Sequence, residues 1–534
     1  MNKKTLIYLP IIIAISITIG IWLGKSFFTN PFESLLNQNY FTSNNLTFPS
    51  SEKLQSILYY IENEYVDTIN HDSLIDKAIT ALLQQLDPHS IYIPPSEFEE
   101  MNEPLEGEFD GIGVEFSIQK DTIVVMNTII GGPSEKIGLM AGDRIIKVND
   151  SIVAGVGITN NQVMKLLKGP KGTKVKVHIK RNKIKNLLTF TITRDKIPMY
   201  SIDAYMMLSQ ELGYIKIARF AKTTPEEFHN ALLKLNEKGM KQLIVDVRGN
   251  GGGYMDAAIS IADEFLKKDE LIVYTEGKSQ PKHDYNATEF GIAEDVKLAV
   301  LIDEWSASAS EIFAGAIQDN DRGIIVGRKS FGKGLVQEPI DFKDGSSIRL
   351  TIARYHTPSG RCIQRNYKSN IQNYYTDLFF RNDSLDSIEV KTAPKFKTKK
   401  GRTVLGNGGI SPDVKVNVNN KNIPDFFFKL LEQSTIYQFA FMYSDNHRNE
   451  FKKFKTWKEL DKYLISSSLY NDFIQYCEKQ GFKPNEEDKI KAKDIILNHL
   501  RAYIVRNIFN DEGFYTITLE QDEIFRKALK VLEK

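Results

Sequence analysis

From Leu212 to His356, short apolar runs alternate with segments of helical period, and that alternation constrains the fold more than any other feature of the chain. "LGYIKIARF" has strand character, and "TPEEFHNALLKLNEKG" carries apolar residues at three-to-four spacing. "KQLIVDVRGNGGG" is a continuous apolar run that ends in glycines, followed by the helical "YMDAAISIADEFL". "VKLAVLID" and "SEIFAGAIQDN" repeat the pair, and "GIIVG" and "SIRLTIARYHT" add strands. Strands that alternate with helices imply a layered α/β core.

Upstream the period changes to two. From Gly107, "GEFDGIGVEFSIQKDTIVVMNTI" alternates between Gly- and Asp-containing turns. A short helix, a Gly-Asp turn, the helical "NNQVMKLLKG" and the strands "TKVKVHIKR" and "LLTFTITRD" complete an α+β unit that ends near Asp195. Residues 51–86 read as helices, and Asp87-Pro88 breaks the second one. Residues 31–50 are polar and read as a tether. Residues 366–405 form a polar, partly basic insertion, read as a solvated strand or loop. Pro424 to Lys534 is helical and aromatic-rich.

The N-terminus has a different character. "TLIYLPIIIAISITIGIWLG" carries no charge from Thr5 to Gly24, and twenty residues of helix rise about 30 Å, enough to cross a bilayer. Lys3 and Lys4 favour a cytoplasmic start. The expectation is an uncleaved membrane anchor with the rest on the far side of the membrane; a cleaved signal peptide is the rival. Both readings place the chain after about residue 30 outside the cytoplasm.

The 534 residues carry a net charge of +1, so no general electrostatic attraction to nucleic acid is expected. Cys362 and Cys477 are the only cysteines and read as unpaired thiols. The eight histidines include no HExxH pattern or close pair, so no metal site is expected.

Two segments carry chemistry. "SASASE" places Ser306, Ser308 and Ser310 at every second position before a helix. A serine at a helix start is either an N-cap or a nucleophile whose following N–H can serve an oxyanion, and local sequence supports both. "GRKSFGKGLVQ" matches a phosphate loop from Gly327 to Lys333, but Gly334 stands where the magnesium-binding hydroxyl belongs and an extended segment follows. The nucleotide reading therefore fails. A lysine held between glycines and buried can instead lose its proton and act as a base toward serine. "DVRGNGGG" lacks the dinucleotide spacing, and its glycines permit close backbone approach. Asp87, His89 and Ser90 contain the residue types of a triad but are too close in sequence to converge, so they read as a turn.

In order along the chain, "LDPHSIYI", "GIGVEF", "GGPSEKIGLMAGDRIIKVND", "DVRGNGGG", "SASASEIFAGAIQD", "GRKSFGKGLVQ", "YHTPSGRCIQ" and "GGISPDV" resemble the carboxy-terminal processing proteases, or tail-specific proteases, which are serine–lysine peptidases with an inserted PDZ domain. The resemblance implies Ser308 as nucleophile, Lys333 as general base and Gln337 as the residue that positions it. It implies Ala309 and Gly252 as oxyanion donors and Gly111, Ile112, Gly113 and Val114 as the peptide-binding loop. No cofactor is implied.

The organisation expected is a membrane anchor or signal sequence at 1–30, a tether and helical region at 31–106, the PDZ domain at 107–195, an α/β peptidase core at 196–420 and a C-terminal helical region at 421–534. The expected partners are proteins with apolar C-terminal tails and the membrane; whether the parts outside the core signature, 366–400 and 421–534, serve a homo-oligomer or an adaptor contact stays open. The alternative from another class is a non-catalytic, membrane-anchored scaffold that binds tails through the PDZ domain alone.

Overall fold

A computed structural model describes residues 50–182, 184–367, 374–375, 393–406, 408–417, 423–509 and 511–533. The apolar segment at 5–24 and the tether up to residue 49 lie outside the described residues, as does most of the 366–405 insertion. Among the described residues no helix is long and apolar enough to cross a membrane. The chain divides into two units after Ala78. Helices run at Ser50–Glu64 and His71–Gln84, where the apolar period predicts them.

Within the second unit, the period-two region folds into a sheet whose strands run in the order Val114–Ile118, Ile123–Thr128, Arg144–Val148, Lys174–Lys180, Leu188–Thr193, with Ser151–Ile152 paired to Arg144–Val148. Alternation sets its faces. In "KVKVHIK", Val175, Val177 and Ile179 are buried, while Lys174 and Lys176 face water. The helix Asn160–Leu167 starts at Thr159 with a capping box to Gln162 and buries Val163 and Leu167 against the sheet. Strands Glu108–Gly111 and Asp195–Pro198 pair antiparallel, so this domain leaves the core and returns through a two-stranded stalk.

The core sheet has the order Ile202–Met207, Leu212–Ile217, Gln242–Asp246, Lys297–Ile302, Ile324–Gly327, Val414–Lys415. Its first pair is antiparallel and the rest are parallel. Continuous apolar strands such as "QLIVD" are what a sheet covered on both faces requires. Leu243 and Val245 point to one face, against the helices Thr224–Glu237, Met255–Asp263 and Ala309–Asp319. Ile244, Ala299 and Leu301 point to the other, where Ile524, Phe525, Ala528 and Leu532 of the final helix, Glu523–Leu532, cover them. The last helix of the chain is thus part of the core packing. The preceding helices between Asp425 and Ile508 form their own aromatic-rich cluster.

A second sheet is built on the hairpin Leu335–Asp341/Ser347–His356. The strand Ile91–Ile93 joins its outer side, so the "DPHS" turn at 87–90 lies beside the hairpin. The carboxyl ends of the parallel strands Gln242–Asp246 and Lys297–Ile302 open toward it, and open α/β sheets place their sites at such ends.

Candidate active site

The strand Lys297–Ile302 is buried and runs into a tight turn, after which the helix Ala309–Asp319 begins. Ser308 is the residue before that helix and has φ 55° and ψ −113°. A non-glycine residue held there costs roughly 1–3 kcal/mol and persists only where its surroundings over-determine it. The Glu311 carboxylate accepts from the Ser308 N–H at 2.9 Å, and the Tyr355 hydroxyl donates to the Ser308 carbonyl at 3.2 Å.

The three serines differ in what their hydroxyls do. Ser306 Oγ donates to the Val247 carbonyl at 2.9 Å, and Ser310 Oγ donates to the Asn250 carbonyl at 2.8 Å. Both residues are fully buried and staple the turn to the glycine segment. Ser308 is only partly buried and lines a cavity of about 370 Å³. The two readings that local sequence leaves open meet in one residue: Ser308 is the N-cap of the helix, paired with Glu311, and it also lines the cavity, whereas Ser306 and Ser310 hold the turn.

The glycine segment reaches this turn from the next strand. A Cβ on Gly252, whose φ is 102°, would stand 2.8 Å from Ser308 Cβ and 3.1 Å from the Ala309 nitrogen, so only glycine fits there. Ala309 is the first helical residue, so its N–H has no intrahelical acceptor. The Gly252 N–H donates to Asn250 Oδ1 at 2.9 Å. Asp246 and Arg248 fix the root of the segment: the guanidinium bonds both Asp246 oxygens, and although burial alone would raise that carboxyl, the charges of Arg248 and Lys216 outweigh it and hold it well below its usual range. Arg248 also donates to Asp522 Oδ2 at 2.5 Å, which ties the start of the last helix to this loop.

Lys333 reaches the same cavity from the loop between Ile324–Gly327 and Leu335–Asp341. Its Nζ donates to Gln337 Oε1 at 2.8 Å, and Gln337 Nε2 donates to the His89 carbonyl. Burial, reinforced by the positive charge of Arg349, lowers the ammonium's pKa to about 8, with Asp87 and Glu311 opposing the shift. Close to neutrality, a fraction of this lysine is therefore the free amine.

Two participants escape sequence reading. Glu311 is fully buried, and its carboxylate accepts from the N–H groups of Ser308, Gly332 and Lys333 and from Ser330 Oγ. Burial pushes its pKa up to about 7 while those four donors pull it down. One carboxylate thus joins the Ser308 turn to the Lys333 loop. The second participant is the "DPHS" segment. It is the turn expected, with Asp87 Oδ1 accepting from the N–H groups of His89 and Ser90 at 2.8 Å each. It also supports Gln337 through the His89 carbonyl, and the His89 ring meets the Tyr374 hydroxyl at 2.9 Å. Burial holds His89 neutral, with its pKa lowered to about 3.

Ser308, Lys333, Gln337, Ala309 and Gly252 thus converge on one place. Gly111, Ile112, Gly113 and Val114 lie elsewhere, at the start of the edge strand Val114–Ile118 of the smaller domain. The Ile112 carbonyl accepts from the Ser134 N–H at 3.1 Å, and the Gly113 carbonyl accepts from the Ile129 N–H at 3.0 Å. The outer edge of that strand carries no partner strand among the described residues. No cluster of metal-ligating side chains occurs among the described residues.

Residues 211–373 match the model of peptidase family S41, residues 111–193 match that of the PDZ domain, and residues 426–510 match a family of unknown function, DUF8443. The chain is 35% identical over 317 residues to the carboxy-terminal processing protease CtpB of Bacillus subtilis, covering 59% of this chain and 65% of that one. It is 33% identical over 322 residues to the carboxy-terminal-processing protease of Bartonella bacilliformis, covering 60% of this chain and 73% of that one. Among solved structures, the photosystem II D1 C-terminal processing protease is 26% identical with a TM-score of 0.37, covering 70% of this chain and 88% of that one. The chain thus spans just under two thirds of the length of the Bacillus relative.

Proposed function

Because the chain belongs to the carboxy-terminal processing proteases of peptidase family S41, with an inserted PDZ domain, we propose that it is a serine endopeptidase with a Ser308–Lys333 dyad that selects proteins by their C-terminal tails. The observation that carries this reading is one cavity lined by a strained Ser308 and a partly buried Lys333 whose pKa is lowered to about 8.

In this mechanism the neutral amine of Lys333 takes the proton of Ser308 Oγ as the oxygen attacks the scissile carbonyl carbon. The carbonyl π pair moves to oxygen, and the oxyanion accepts a hydrogen bond from the Ala309 N–H. Gly252 supplies the second donor once its N–H leaves Asn250 Oδ1. The Lys333 ammonium returns its proton to the leaving amine as the carbon–nitrogen bond breaks. Water then attacks the acyl-serine, giving its proton to Lys333, and the bond from the carbonyl carbon to Ser308 Oγ breaks as Lys333 returns that proton to Oγ. Gln337, held by the His89 carbonyl, keeps the lysine side chain aimed and offers it an acceptor.

In the PDZ domain, the open edge of Val114–Ile118 is suited to receive a tail as an added strand, with the 111–114 loop at the carboxylate end. Apolar tail residues fit the apolar groove that such a domain presents. The segment at 5–24 is proposed to anchor the protein in the bacterial inner membrane, with the catalytic unit on the periplasmic side. Ser308→Ala tests the core of this reading: it abolishes peptide cleavage while leaving tail binding in place. Cleavage that survives in that variant excludes Ser308 as nucleophile.

A further inference from the structure

Arg349 stands on the strand Ser347–His356, opposite Pro339 of the hairpin and Ile91 of the adjoining strand. It lines the same cavity as Ser308 and Lys333. Its Nη2 donates to Asn102 Oδ1 at 2.8 Å and to the Met101 carbonyl at 3.4 Å, both on the helix Phe98–Glu106. Those acceptors are neutral, and among the described residues no carboxylate forms an ion pair with this guanidinium.

Glu106, one turn on from Asn102 along that helix, is engaged elsewhere: it accepts from the Tyr254 hydroxyl at 2.8 Å and from Lys222 at 3.4 Å. The remaining cavity wall includes Leu105, Leu335, Val336 and Pro339. Arg349 is partly withdrawn from water, enough to lower its own pKa. A guanidinium has five donors in a planar fork suited to two carboxylate oxygens. A partly desolvated cation without a counter-ion, set in an apolar wall beside the reactive serine, favours a ligand that brings the missing charge.

We propose that Arg349 forms a subsite for a substrate carboxylate, either an Asp or Glu side chain near the scissile bond or the free α-carboxylate of a short tail. The assignment deepens the peptidase reading and rests on it for the word substrate. It adds an electrostatic preference at the cut that is separate from tail capture by the PDZ domain. It concerns binding in the catalytic cavity, so it can be measured without turnover.

The test uses the full chain carrying Ser308→Ala, with Arg349 intact or changed to Gln or Lys, and thermal melting to verify folding. The probes are fluorescent alanine- and valine-based peptides with amidated ends, each carrying a single Glu or its Gln isostere, scanned position by position. A further pair compares a neutral peptide as free acid and as amide. With Arg349 intact, one pair should favour the carboxylate by about 10- to 100-fold, the range for a charge-assisted bond. Arg349→Gln should bring that ratio to about one, and Arg349→Lys should retain part of it.

A preference confined to the Glu scan identifies a side-chain carboxylate; one confined to the free-acid pair, and lost with Arg349→Gln, identifies the α-carboxylate. A PDZ contribution is recognised because it is unchanged by Arg349→Gln. Equal Glu/Gln and acid/amide ratios with and without Arg349 overturn the subsite. Cleavage that persists when Ser308 alone is replaced overturns the nucleophile assignment instead and leaves the binding ratios to decide Arg349.

Discussion

Gly252 and Ser308 approach so closely that a methyl group on the glycine would lie 2.8 Å from the serine Cβ. The contact sets the glycine segment against the Ser308 turn, and the positive φ of 102° at Gly252 adds a second reason for glycine. Gly252→Ala should therefore lower kcat/KM by at least about 100-fold, the scale for losing one oxyanion donor. Steady-state kinetics beside a melting curve checks this. A folded Gly252→Ala protein with near-normal kcat/KM would show that the approach has no catalytic consequence.

The outer serines should behave unlike the middle one. Ser306→Ala and Ser310→Ala each remove a buried hydroxyl donor and leave a backbone carbonyl without it. Each should cost about 1–3 kcal/mol of stability by denaturant unfolding and retain measurable turnover. Ser308→Ala should instead leave the Ser306 and Ser310 hydrogen bonds in place yet remove activity.

If the Lys333 amine is the base, as proposed, activity should rise with pH through about 8, its lowered pKa. The groups that set this value are burial, Arg349, Asp87 and Glu311, with His89 neutral beside them. Replacing Arg349 with Gln removes a repelling charge, so the acidic limb of the kcat/KM profile should move to higher pH. The same shift affects stability. Because the folded-state pKa is below the unfolded value of about 10.4, the unfolded chain holds more protons between them, and stability from this group rises as pH climbs from about 8. A profile whose acidic limb is unmoved by Arg349→Gln would dissociate the limb from Lys333.

Phe525→Ala should destabilise the whole catalytic unit. Phe525 lies on the final helix but packs against Tyr214 beneath the core sheet. Truncating a buried phenylalanine costs about 3–5 kcal/mol. Chemical denaturation should show the loss in the transition that reports the core, and an unchanged midpoint would place the helix outside that cooperative unit.

That last helix illustrates where sequence reading stops. Its amphipathic period is as clear as those of the helices before it, but periodicity does not say which surface the apolar face will meet. Hence Phe525 reads as one more helical residue of a C-terminal region, although it covers the sheet. The strands were legible because "LIVD" is a continuous apolar run and "KVKV" alternates, and only the second encodes its faces in its own spacing. The convergence of Ser308, Lys333 and Gln337 was legible only through the family motifs, since no local pattern specifies a contact between residues on different elements.

The His89–Gln337 bond spans 248 positions and uses a backbone carbonyl, so no residue type announces it. Glu311 was visible as the acid of "SASASE", but its four buried donors come from two separate loops. The unusual φ of Ser308 likewise arises from the surrounding contacts and leaves no mark in composition.

The central claim is that a neutral Lys333 removes the Ser308 proton, and the turnover of Lys333→Arg tests it most directly. Arginine keeps a positive charge and much of the bulk but stays protonated at any working pH. With folding and peptide binding verified, kcat should fall by about 10⁴-fold or more, and a Ser308→Ala/Lys333→Arg double variant should be no worse than either single one, as for residues that act as a unit. Near-normal kcat in Lys333→Arg would contradict the account and exclude lysine as the base.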